Sequence, residues 1–216
     1  MKKIKWIGFA VLLISIGCTA SKITTSWKAQ NTVVQKYKKI LVVGLIHEKD
    51  QNIQMNMEIH FVGDLQDLGY HSVSALQEYG PRAFDKMDEN ATSVKLKNSG
   101  VDAIITIVLM AKENDRKFIP NSKSKSPYAS YYNRFWGYRT ELDRRINKPG
   151  YYARNTKYFW ESNFYDMRTQ KLVYSVQTQS FDPANLASMG HAYGQMIVKD
   201  MVRQNILKRV DNMAGK

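Results

Sequence analysis

Few side chains in this sequence of 216 residues have the types and spacing that chemistry requires. The four histidines, His47, His60, His71 and His191, are scattered without metal-ligand spacing, and there is no Cys/His cluster of the zinc kind. His47-Glu48 stands at the end of an apolar run, where α/β folds often place their reacting groups. Two adjacent polar residues carry little information, and they read first as ordinary surface. Glu161 and Asp166 are five apart on an alternating segment, so they face opposite sides and make no acid/base pair. A glycine-rich phosphate loop and a nucleophile elbow are both absent. Gly190-His191-Ala192-Tyr193-Gly194 has GxxxG spacing, but no membrane span surrounds it. Close packing of that helix on the sheet, or an N-terminal turn, accounts for it better. The expectation is a protein with no enzymatic activity, no cofactor and no metal.

One reactive side chain remains, Cys18, the sole cysteine. It follows a basic start, Met1-Lys2-Lys3-Ile4-Lys5, and an apolar stretch from Trp6 to Gly17 that ends in Ser15-Ile16-Gly17. A basic segment, a short apolar segment and small residues before a cleavage point make a secretory signal. The run is too short to cross a bilayer, which takes about 20 apolar residues. With cysteine at its end, the segment resembles a bacterial lipobox, although Ser15 stands where such motifs more often carry leucine. The resemblance implies that residues 1–17 are removed and that Cys18 is acylated with palmitate-type chains. Two or three such chains anchor a protein durably, where one holds it only marginally. Thr19, not aspartate, comes next; by resemblance to the sorting rule of such proteins, this implies the outer membrane, facing the periplasm.

Removing residues 1–17, with Lys2, Lys3 and Lys5, leaves 199 residues and lowers the net charge from +13 to +10. That length suits one domain and buries a real core. Once Cys18 is acylated no thiol is left for a disulfide, so stability in an oxidising compartment must come from packing.

The elements that position these residues follow from periodicity. Residues 18–36 are polar, rich in Ser, Thr, Lys and Gln, and read as a membrane tether, with a single α/β domain over 37–210. Ile40 to Ile46 is a continuous apolar run, as in a strand buried on both faces. Ile53, Met57, Phe61, Leu65 and Leu68 recur at helical spacing before Gly69. A short strand is expected near His71 to Ala75. A second helix is expected from Phe84 to Asn98, with Met87, Ala91 and Val94 inward. Val101 to Met110 is the most apolar strand. Later, Lys157 to Asp166 and Leu172 to Phe181 alternate and form a hairpin, and Asp182-Pro183 opens a final helix that reaches Val210. The fold class is α/β: a mixed sheet with a βαβαβ half, an antiparallel hairpin and a C-terminal helix.

These residues carry a further resemblance. A lipobox precedes Ser26-Trp27, and a βαβαβ half begins at Lys39-Ile40-Leu41-Val42-Val43. Then come the hairpin Glu161-Ser162-Asn163-Phe164-Tyr165-Asp166 with Lys171-Leu172-Val173-Tyr174-Ser175, and a long helix. The chain resembles a group of bacterial envelope lipoproteins of the Bacteroidetes type. Their domain is similar to the N-terminal folds of the curli-secretion lipoprotein and the Tol periplasmic protein. The resemblance spans most of residues 37–208 and implies a fold and an address; it carries no activity.

The insertion at 112–157 is the most unusual part. It holds 12 Lys and Arg against Glu113, Asp115, Glu141 and Asp143, a net +8. Among them stand Tyr128, Tyr131, Tyr132, Phe135, Trp136, Tyr138, Tyr151 and Tyr152. So long a segment between two strands is usually functional or disordered, and disordered segments are poor in aromatics. Basic residues interleaved with aromatics suit single-stranded nucleic acid, but a secreted, anchored chain does not meet it. In the envelope the matching surfaces are an acidic protein, an anionic lipid or a wall glycan. The aromatics could equally pack over the sheet with the charges merely solvated. The expected contact residues are Tyr131, Tyr132, Arg134, Trp136, Tyr138 and Arg139. The expected function is a membrane-anchored, non-enzymatic binding or assembly module. Two alternatives stay open, a subunit of an oligomeric secretion pore and an envelope enzyme. The pore is disfavoured by Pro120, Pro127, Pro149 and the clustered arginines.

Overall fold

A computed structural model of the chain describes residues 21–46, 50–81, 84, 87–114, 156–181 and 186–210. In chain order the elements are β1 (Ser21–Lys28), β2 (Ile40–Leu45), α1 (Gln51–Asp67), β3 (Ser72–Ser74), α2 (Ala75–Tyr79), α3 (Glu89–Asn98), β4 (Ala103–Asn114), β5 (Thr156–Asp166), β6 (Lys171–Phe181) and α4 (Leu186–Arg203). They form one six-stranded sheet in the order β1-β6-β5-β4-β2-β3. β2 runs parallel to both β3 and β4. β4, β5, β6 and β1 are successively antiparallel. The mixed α/β class expected from periodicity is the one observed.

The apolar run of β2 works on both faces, as a central parallel strand must. Ile40 and Val42 join the larger core with Met57, Phe61, Leu65, Trp160, Phe164, Tyr193 and Ile197. Leu41 and Val43 join a smaller one with Ala75, Leu96, Ile104, Val108 and Tyr165. α1 and α4 cover the first face, and α2 and α3 contribute to the second. α1 presents Ile53, Met57, Phe61 and Leu65 at four-residue spacing, all of them buried. It stops before Gly69, whose positive φ of 96° favours glycine. A Cβ there would also lie 2.2 Å from the carbonyl oxygen of Val210, so the C-terminal segment closes tightly over this turn.

Several expectations are corrected. The stretch read as tether, 18–36, contains β1, an edge strand bonded along β6 from Ser21↔Ser180 to Lys28↔Tyr174. Its polar alternation is that of a strand with one wet face. The second helix begins at Glu89, where Asp88 caps it through the N–H of Ala91 at 2.7 Å. Its inward residues are Thr92 and Leu96, while Ala91 is exposed and Val94 is 57% exposed. Met87 precedes the helix and shares no helical phase with it, and the four-residue pair Thr92 and Leu96 sets the buried face. α2 was not foreseen; Ser74 caps it by accepting from the N–H of Gln77. The final helix ends at Arg203, and residues 204–210 return as a non-helical strap whose Val210 N–H donates to the Leu68 carbonyl at 2.8 Å.

Candidate functional site

At the C-terminal ends of the parallel strands, the place where α/β folds collect ligands, a carboxylate is waiting. Glu58 of α1 is fully buried there. Its Oε1 accepts from the Gly44 N–H at 2.7 Å and from Gln54 Nε2 at 3.0 Å. Its Oε2 accepts from Ser74 Oγ at 2.5 Å and from the Leu76 N–H at 2.9 Å. Four donors saturate this group. It ties β2, β3 and α2 to α1 and leaves no lone pair to act as a base. His47 and Glu48, the nearby sequence candidates, lie outside the described residues.

The other carboxylates of the sheet are likewise occupied. Glu161, on the face opposite Trp160 and Phe164, accepts from Asn163 Nδ2 at 3.0 Å and Gln177 Nε2 at 2.9 Å. Asp166 stands at the end of β5. Burial pushes its carboxyl up, but the backbone N–H and guanidinium of Arg168 outweigh burial and hold it below the usual range. The two carboxylates stay apart.

Among the described residues a groove of about 430 Å³ opens between β1 and α4, lined by Ser21, Ile23, Gln195, Met196, Lys199 and Arg203 among others. Ile23 and Met196 make an apolar floor, and Lys199 and Arg203 a cationic rim. At its inner wall lies Asp200, 3% exposed. Asp200 Oδ2 accepts from Ser26 Oγ at 2.9 Å, Tyr174 Oη at 2.7 Å and Gln204 Nε2 at 2.8 Å, and Arg203 pairs with Oδ1. Burial raises this carboxyl, but the four donors prevail and hold it below its ordinary value. Burial first, and then the same proximity of Asp200, drives the Tyr174 hydroxyl far above its usual range, so it stays protonated as a donor. Lys28 Nζ adds a bond to the Gln204 carbonyl at 2.9 Å. Ser26 and Lys28 thus fasten β1 to α4 and the residue that follows it, while Ser21 and Thr24 bond β6.

Beside the groove α4 crosses α1. Gly194 permits the approach: a Cβ there would lie 2.2 Å from Asp64 Oδ2 and 3.2 Å from Phe61 Cα. Gly190 similarly faces the Asn56 carbonyl and His60. The GxxxG spacing therefore serves helix-on-helix packing against α1, not packing on the sheet. Asp64 is buried in this seam, with Oδ2 lacking a hydrogen-bond partner. Desolvation pushes its carboxyl up to about 6, although His191 at 3.9 Å partly opposes this.

Among the described residues no group of three or more His, Cys, Asp and Glu is placed to hold a metal, and no helix is long and apolar enough to cross a membrane. Cys18 and the six expected contact residues, Tyr131, Tyr132, Arg134, Trp136, Tyr138 and Arg139, lie outside the described residues. The two ends of their segment are described: β4 and β5 are paired as far as Asn114↔Thr156, with one shift of register between Leu109 and Ala111. Sequence reasoning missed Asp200 and Ser26. A signal existed, since Asp200 interrupts the stripe Met189, Tyr193, Ile197, Met201 on the buried face of α4, and a carboxylate there needs donors.

No protein-family model matches the chain, and no curated protein matches it. Among solved structures it is similar to the PelC dodecamer from Paraburkholderia phytofirmans, at 8% identity over 81% of this chain and 94% of that one, with a TM-score of 0.45. It is also similar to the lipoprotein GNA1162 from Neisseria meningitidis, at 16% identity over 77% of this chain and 96% of that one, with a TM-score of 0.39.

Proposed function

We propose that this chain is a lipid-anchored envelope module, held at the outer membrane and facing the periplasm, that presents its insertion to an acidic protein partner and catalyses nothing itself. The observation that carries the reading is the pairing of β4 with β5 at the two ends of the insertion. Asn114 lies opposite Thr156, so the residues between them join two neighbouring antiparallel strands. A segment in that place, rich in Tyr, Trp and Arg, has the composition of a recognition element. Tyr131, Tyr132, Trp136 and Tyr138 are the proposed anchors, and Arg134 and Arg139 the carboxylate binders. The address rests on the lipobox-like run that ends at Cys18. The engagement of Glu58 and Asp200 by four fold-internal donors each, and of Glu161 by two, is in keeping with a binding role.

The register also supplies the test. Replacing residues 115–155 by Asn-Gly gives a two-residue hairpin of the favoured type at the Asn114↔Thr156 pair. In-cell crosslinking of the intact lipoprotein should capture a defined partner that this variant, folded by circular dichroism, does not. Equal capture by both would remove the insertion from recognition and return it to structural cover. Capture of lipid or glycan in place of protein would change the partner class.

A further inference from the structure

β1 begins three residues after Cys18, and β1 is not a tether. Its backbone is bonded along β6 from Ser21 onward, Ser26 is bonded to Asp200 of α4, and Lys28 to Gln204 just after it. Three residue steps span at most about 10 Å, whereas an 18-residue tether would reach about 60 Å. From this we infer that the folded domain sits directly on the bilayer, with the β1/α4 face and its groove docked on an anionic phospholipid surface. The inference rests on the lipid anchor at Cys18 proposed above.

Charge favours the same face. β1 and α4 together carry Lys22, Lys28, Lys199 and Arg203, and Asp200 is their only acidic residue. That aspartate is buried and ion-paired with Arg203, so it offsets one of the four cations and the two elements keep a net charge of +3 (four minus one). Lys22, Lys199 and Arg203 are exposed. The short link holds Ser21, which lines the groove, within about 10 Å of the bilayer, comparable to the Debye length of about 8 Å at physiological salt, and docking of the face brings its cations inside that length. Each cation near an anionic leaflet strengthens binding about fivefold. Ile23 and Met196 offer the groove floor to the interfacial layer.

The test uses the full lipidated protein, reconstituted in vesicles of phosphatidylcholine alone or with one part in three of phosphatidylglycerol. Mass spectrometry first reads the acyl chains on Cys18. A fluorophore is then attached at Gln195→Cys in the groove, or at Lys97→Cys on α3, which faces away, and quenched by headgroup-labelled lipid. The expected result is quenching several-fold stronger at position 195 than at 97, present only with phosphatidylglycerol and weakened in about 1 M salt. Lys22→Gln with Lys199→Gln should cut it about 25-fold in affinity terms. The salt series needs no substitution, so a misfolded variant does not decide the matter. Equal quenching at both positions on an acylated protein overturns the docking and leaves the anchor standing. Quenching at 195 that ignores phosphatidylglycerol overturns anionic recognition. An unacylated Cys18 overturns anchor and docking together.

Discussion

Ser26 and Asp200 stand 174 residues apart in the chain and are joined by a hydrogen bond of 2.9 Å. Through it the first strand is fastened to the last helix, beneath Tyr174 of the neighbouring strand. Asp200→Ala leaves the hydroxyls of Ser26 and Tyr174 without their acceptor in a buried site. The expected cost is about 2–3 kcal/mol in urea denaturation. The folded carboxyl lies below its ordinary value, so its stabilisation is present above pH ~4 and lost as pH falls through the folded value. Wild type should therefore lose stability on acidification more steeply than Asp200→Ala.

Asp64 has the opposite sign. Its carboxyl is raised to about 6 by burial in the α1–α4 seam, with Asp67 adding to the rise and His191 and Lys199 opposing it. The folded state holds that proton more tightly than the unfolded chain, so the contribution is present below pH ~4 and lost as pH rises through 6. Asp64→Asn should flatten this slope and add about 1 kcal/mol at pH 7, discounted for partial solvent contact. Unfolding curves at pH 5 and pH 7 for both proteins decide it.

Two glycines of the helix pair should respond in opposite directions. Gly194→Ala places a Cβ 2.2 Å from Asp64 Oδ2 and forces α4 from α1, at about 1–3 kcal/mol. Gly63 lies in α1 with open space around it. Gly63→Ala should stabilise by about 0.5–1 kcal/mol through helix propensity. Thermal melts of the two variants should move apart on either side of wild type.

Glu58→Gln keeps the shape of the side chain but turns one acceptor oxygen into a donor facing a donor. With Gly44, Gln54, Ser74 and Leu76 all donating to it, the loss should reach about 2–4 kcal/mol. Hydrogen exchange of the Gly44 and Leu76 amides should accelerate in the variant. Unchanged exchange there would show that the carboxylate does not hold the strand ends.

Cys18→Ser should abolish acylation and release the chain from the membrane fraction. A mature form that remained anchored would remove the basis of the address.

The sheet half from Ile40 to Val108 was legible because burial on both faces writes unbroken apolar runs, and α1 because four-residue spacing survives in Ile53, Met57, Phe61 and Leu65. β1 was not legible. An edge strand with one wet face, reading Ser-Lys-Ile-Thr-Thr-Ser, shares the composition of a linker, and its partner lies some 150 residues on. The α3 face is not legible because a polar residue, Thr92, takes a buried place while the apolar Ala91 and Val94 are exposed. Most of the polar anchoring, Glu58 and Asp200 above all, escaped because hydrogen-bond partners come from other elements and leave no local period. Only the position of Asp200 within an apolar stripe hinted at it.

The pairing of β1 with β6 also sets an order of events. The first strand to be synthesised is among the last to find its place, since its neighbour ends at Phe181 and its clasp, Asp200, comes later still. Contacts of such sequence separation make folding slow. Until β1 docks, β6 has an uncovered edge and the chain must be kept from pairing with others. A chaperone that recognises the exposed β6 edge would find its substrate in this interval, and truncation before Asp200 would leave β1 without the clasp that holds it there.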